Sequence, residues 1–78
     1  MVEAYCLISV RPGTSSEIFE RVKELDNAIS VEAVTGSYDI VAKIKAESLE
    51  VLTETVFSEI RGIKGVTSTS TLTVVDLE

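Results

Sequence analysis

The chain contains no histidine and no tryptophan, one cysteine, one proline, and seven basic residues against thirteen acidic ones. Without histidine it lacks the familiar zinc and iron ligand sets and the commonest general base. The single Cys6 excludes an intramolecular disulfide, and within an apolar strand it reads as core filler in a reducing compartment. A net charge of −6 with dispersed Lys and Arg argues against direct nucleic-acid binding, which needs clustered cations against phosphate. No apolar run approaches the roughly 18 residues of a membrane span. Met1 to Val10 carries Glu3 and no basic stretch, unlike a secretory leader. The cytoplasm is therefore the expected compartment. Gly62 and Gly65 lack nucleotide-binding spacing, so no cofactor is expected.

What is present is 78 residues, 45% of them hydrophobic, which implies one domain over 1–78. A domain of this size buries only about 60% of the surface its unfolded chain exposes. With neither disulfide nor metal to supplement a small core, assembly is the expected source of further burial.

Along the chain, Val2 to Val10 sets Ala4, Cys6, Ile8 and Val10 against Glu3, Tyr5, Leu7 and Ser9, a strand covered on both faces. Arg11-Pro12-Gly13 ends it. Thr14 and Glu17 form a capping-box pattern, and Ile18, Val22, Leu25 and Ile29 recur at helical spacing up to a helix end near Asn27. A second strand is expected over Ser30 to Thr35 and a third over Tyr38 to Ala46, joined by a tight hairpin turn at Gly36. In the third strand Tyr38, Ile40, Ala42 and Ile44 share one face. Ser48 caps a second helix whose buried stripe is Leu49, Leu52, Val56 and Ile60, with Val51 and Phe57 at its margin. Gly62 or Gly65 stops that helix. The last strand, Val66 to Val75, carries hydroxyls on both alternating faces in its first half; a solvent-washed sheet explains much of this, and a polar seam between subunits or a ligand pocket is the alternative.

This order predicts an α+β, ferredoxin-like βαββαβ sandwich: a four-stranded antiparallel sheet with two helices on one face. The other face, with Tyr5, Leu7 and Val41, is left with enough apolar surface to want a partner. Catalysis is poorly provided for. A metal chaperone on this plait would need paired cysteines, and acylphosphatase-type chemistry would need an asparagine near Arg11, to which Asn27 has no evident route. No enzyme is expected. A small-ligand binder is better founded, because turn amides near Gly36 and the Asp39 carboxylate suit the two ends of a zwitterion. An ordinary hairpin end with a tyrosine packed over it explains the same residues.

The run Val34-Thr35-Gly36-Ser37-Tyr38-Asp39-Ile40-Val41, the capped helix after it, and Gly65-Val66 followed by Thr69, Thr71 and Val74 resemble the effector-binding domain of the Lrp/AsnC transcription regulators, the domain for regulation of amino-acid metabolism. The resemblance implies a homodimer formed through the sheets, dimers joined into an octamer or similar ring, and amino-acid effectors held between dimers. It implies contacts to the effector from Gly36, Ser37, Tyr38 and Asp39, with Thr69 and Thr71 on the last strand. Regulators of this family carry an N-terminal helix-turn-helix, whereas here the first strand begins at Val2. A stand-alone form that senses a ligand without reading DNA is therefore expected, possible co-assembly with a full-length relative included. A purely structural assembly module is the alternative.

Overall fold

Strand β1, Val2–Val10, occupies the middle of the sheet because both of its faces are apolar enough to be covered. In the computed structural model, which describes residues 1–77, it is followed by helix α1 (Ser15–Lys23), β2 (Ala28–Ala33), β3 (Ile40–Ala46), helix α2 (Leu49–Glu54), a π-helical continuation (Thr55–Ile60) and β4 (Val66–Thr73). The sheet order is β2-β3-β1-β4 with antiparallel pairing throughout, the ferredoxin-like arrangement expected from the element order.

Period-two alternation decides which side chains meet the helices. Ala4, Cys6 and Ile8 of β1 and Ile40, Ala42 and Ile44 of β3 are fully buried, in one cluster with Ile18 and Val22 of α1 and with Leu52, Val56 and Ile60 from the second helix. Helix α1 lies over β2 and β3, and α2 over β1 and β3. β4 is thus an edge strand at the margin of the helical layer.

Several boundaries differ from those the sequence suggests. α1 stops at Lys23 rather than near Asn27, because the chain tightens there into short-range bonds, with Glu24 N–H donating to Arg21 C=O and Leu25 N–H to Val22 C=O. Ile29 consequently leaves the helical stripe. It falls where the β2–β3 register shifts between Ala28 and Ser30, and it is 53% exposed. The capping box does not form: the Thr14 hydroxyl donates backwards to Arg11 C=O at 2.7 Å and makes no bond to the first turn. Ser48 does cap α2, its Oγ accepting from Val51 N–H at 3.2 Å. Leu49, however, is exposed on the first turn, so the buried stripe begins at Leu52.

The π-helical turns begin where a residue from across the fold reaches the helix. The Thr55 hydroxyl donates to Val51 C=O and accepts from Asn27 Nδ2, adding a second partner to the helix where the ladder changes. Arg61 N–H then reaches back five residues to Val56 C=O. Gly65 sets the return to β4. Its φ is +107°, and a Cβ there would meet Ile18 Cδ1 at 2.9 Å, so only glycine lets the connection lie flat on α1.

Candidate functional site

The Gly36 region is a six-residue connection, 34–39, and not the tight turn expected between strands ending at Thr35 and restarting at Tyr38. The reason is Asp39. Its N–H donates to Ile8 C=O and its C=O accepts from Val34 N–H, each at 2.9 Å. Its Oδ2 accepts from Val10 N–H, also at 2.9 Å. The residue is therefore drawn onto β1 just where the β1–β3 ladder, which ends at Ile8 opposite Ile40, has run out of backbone partners. Gly36 sits at φ +124°, with open space where a Cβ would stand. Ser37 is exposed, and Tyr38 and Asp39 are half-buried.

Thr69 and Thr71 lie elsewhere. The register places Thr69 opposite Ile8, Thr71 opposite Cys6 and Thr73 opposite Ala4, so all three share the helix side of β4. There they form one wall of a groove of about 320 Å³ whose other wall is Leu49, Leu52, Val56, Phe57 and Arg61. The hydroxyls that looked excessive for a helix-facing strand are accounted for by this edge position beyond the cover of α2. Thr71 faces Cys6 across the register, and the pKa of the Cys6 thiol is raised chiefly by burial and lowered in part by the neighbouring Thr71 hydroxyl.

The two sets of expected site residues are thus not gathered into one pocket within the chain. Gly36, Ser37, Tyr38 and Asp39 line none of the described cavities, while Thr69 and Thr71 line the groove beside α2. The residues that sequence reasoning missed are Arg61, and Phe57 as its support. The guanidinium lies 5.1 Å from the Phe57 ring centroid, and the only signal was their four-residue separation on a helix. A second cleft, of about 410 Å³, brings Arg11, Arg21 and Lys64 around Thr14, Glu17 and Gly65. A larger depression on the outward side of α2 is lined by Glu50, Glu54 and exposed Leu49 and Phe57, with no cation. Among the described residues no group of three His, Cys, Asp or Glu is placed to hold a metal ion, and no helix is long and apolar enough to cross a membrane.

On the open side of the sheet, Tyr5 lies between Leu72 and Lys43, and Leu7 between Ser70 and Val41. Tyr5 and Leu72 are 40% and 53% exposed. Lys43 bridges to Glu3 at 3.3 Å and lies over the Tyr5 ring, and its pKa is raised chiefly by the Glu3 hydrogen bond.

Residues 3–77 match the family described as the Lrp/AsnC ligand binding domain. Two HTH-type transcriptional regulators of Pyrococcus furiosus, one of them uncharacterized, are 32% and 35% identical to this chain over 72 residues, which is 88% and 91% of it. The chain spans about half the length of these relatives, 48% and 46%. A crystal structure from Thermus thermophilus superposes with a TM-score of 0.94 at 32% identity, covering 100% of this chain and 98% of the other. AsnC of E. coli shares the fold with a TM-score of 0.90 at 24% identity, over 96% of this chain and 51% of that one.

Proposed function

The chain belongs to the Lrp/AsnC ligand-binding family, and from that premise we propose that it is an oligomeric sensor of an amino acid or related small effector. The observation that carries this reading is the match to a ligand-binding family over 3–77. The relatives found are transcriptional regulators, and we assign this chain no catalytic step. A regulator from Neisseria meningitidis with the same fold was solved as its L-methionine complex, at 19% identity, which names the effector class to try first.

In this reading the effector meets the connection at Gly36, Ser37, Tyr38 and Asp39, with Thr69 and Thr71 contributed by a neighbouring chain, since one chain keeps the two sets apart. The exposed Tyr5 and Leu72 favour a homodimer through the open sheet faces. Dimers then join into an octamer or a similar ring, and a ligand bound at a seam between subunits stabilises the ring by mass action. We place the protein in the cytoplasm and assign its link to DNA to co-assembly with a full-length regulator of the family, in keeping with its charge of −6.

One observation favours a second reading, an assembly module with no effector. The Asp39 carboxylate, the candidate acceptor for an ammonium group, already accepts from Val10 N–H. Sedimentation of the pure protein, alone and with each of the twenty amino acids at millimolar concentration, separates the two. The sensor reading expects one amino acid, or a few, to shift a dimer toward a ring or to stabilise a ring already present. A ring indifferent to all twenty moves the weight to the assembly module or to another ligand class, and a monomer under every condition removes both readings.

A further inference from the structure

We propose that the groove between α2 and β4 is a carboxylate-binding site in which Arg61 holds the anion, the Thr69 and Thr73 hydroxyls complete its hydrogen bonds, and the exposed Leu49 and Phe57 take a short aliphatic tail. Its ligand class is a small aliphatic monocarboxylate, of which an apolar α-amino acid is one member. In that last respect the inference rests on the sensor reading above; the site itself does not.

Charge comes first. The chain has thirteen acidic residues, yet none lines this groove, and its one ionic group is a guanidinium. Lys43 and Lys45 flank Glu3, at 3.3 and 4.0 Å. Arg61, by contrast, has no carboxylate within 4.0 Å among the described residues, and its recorded side-chain contact is the Phe57 ring. At 5.1 Å from the ring centroid the guanidinium is within cation–π range, and its N–H groups have no side-chain acceptor among the described residues, so they can take a carboxylate through two parallel hydrogen bonds.

The opposite wall adds donors. Thr71 faces Cys6 across the register, and the hydroxyls of Thr69 and Thr73, on the same face two residues to either side, have no side-chain partner among the described residues. Each can give its proton to a carboxylate oxygen. The rest of the lining is Thr53 and the apolar Leu49, Leu52, Val56 and Phe57, of which Leu49 and Phe57 carry the exposed surface. A concave site of about 320 Å³ with an apolar wall and a few convergent polar groups is at the small end of ligand pockets, suited to a small molecule.

The test uses calorimetric titration of the full chain with four probes: 4-methylpentanoate, which has the carboxylate and tail but no ammonium; 3-methylbutylamine, which has the tail and an amine only; L-leucine; and L-methionine. Each is run against wild type, Arg61→Gln and Lys64→Gln, the last altering a cation of the separate cleft, with circular dichroism to verify that all three proteins are folded. The expected result is saturable binding of 4-methylpentanoate to wild type and Lys64→Gln, at least tenfold weaker binding to Arg61→Gln, and none of the amine. Equal affinity in wild type and Arg61→Gln, or no binding of 4-methylpentanoate, overturns the site. If 4-methylpentanoate binds through Arg61 while neither amino acid binds, the groove stands and its link to amino-acid sensing falls. If an amino acid binds with no dependence on Arg61 and 4-methylpentanoate does not bind, the sensor reading stands and the groove falls.

Discussion

The Asp39 carboxylate takes the place of a backbone acceptor at the end of a ladder. Val10 N–H lies beyond the last β1–β3 pair, and Oδ2 at 2.9 Å is what satisfies it. A half-buried amide left without an acceptor costs on the order of 1–3 kcal/mol, more when the lost acceptor was charged. Asp39→Ala should therefore destabilise the fold by about 2 kcal/mol in urea unfolding, and Asp39→Asn, which keeps an acceptor oxygen, by less than about 1 kcal/mol. Equal losses in the two variants would show that the carbonyl oxygen of an amide does not replace the carboxylate in this bond. That Asp39 stands in a special place was legible from its position after Gly36 and Tyr38. Its partner was not, because Val10 is 29 residues away in sequence and only the fold brings it near. Arg61 was illegible for a related reason, since its groove exists only once β4 has come to lie beside α2. Gly36 is the opposite case. Its φ of +124° is a conformation that an L side chain rarely adopts, so Gly36→Val should strain the connection even though the space around it is open.

At the scale of the element, the two helix starts look alike in sequence and differ in structure. Ser48 accepts from Val51 N–H, whereas Thr14 turns its hydroxyl onto Arg11 C=O and leaves the first turn of α1 uncapped by a side chain. Loss of a serine cap costs typically about 1 kcal/mol. Ser48→Ala should lower stability by that amount in chemical denaturation, while Glu17→Ala, on an exposed first turn with no reciprocal cap to lose, should stay within about 0.5 kcal/mol. A loss at Glu17 matching that at Ser48 would mean that the capping box forms in solution. The order of elements and their buried faces were readable because period two in β1 and β3 and the spacing Leu52, Val56, Ile60 are strong signals. Ile29 and Leu49 misled because apolar residues at a helix end fit the stripe numerically. The short-range bonds that follow Lys23, and the first turn after the Ser48 cap, place them in solvent instead. The π-helical turns over Thr55–Ile60 depend on Asn27 reaching Thr55 from across the fold, which no local pattern announces.

For the whole molecule, the open sheet face sets what the domain can assemble with. Its rows run Leu72–Tyr5–Lys43 and Ser70–Leu7–Val41, an apolar centre beside the Glu3, Lys43 and Lys45 group, which is closer to the makeup of an interface with a polar rim than to that of a solvated sheet. β4 adds to this, since Val66–Thr73 contains no charged residue and no proline and so lacks the devices that discourage pairing at an edge strand. If the faces of two copies meet here, a charge placed at their apolar centre must be desolvated, a cost of several kcal/mol. Leu72 is the position to use, being 53% exposed and so dispensable for the core. Leu72→Lys should leave the thermal midpoint of the separated chain nearly unchanged and shift sedimentation toward the monomer at equal protein concentration. Val51→Lys, on the exposed side of α2 and 46% exposed, supplies the contrast. Dissociation by Leu72→Lys alone assigns the primary contact to the sheet. Dissociation by Val51→Lys with Leu72→Lys intact would place it on the helices, and the proposed order of assembly, sheets first and rings second, would have to be reversed.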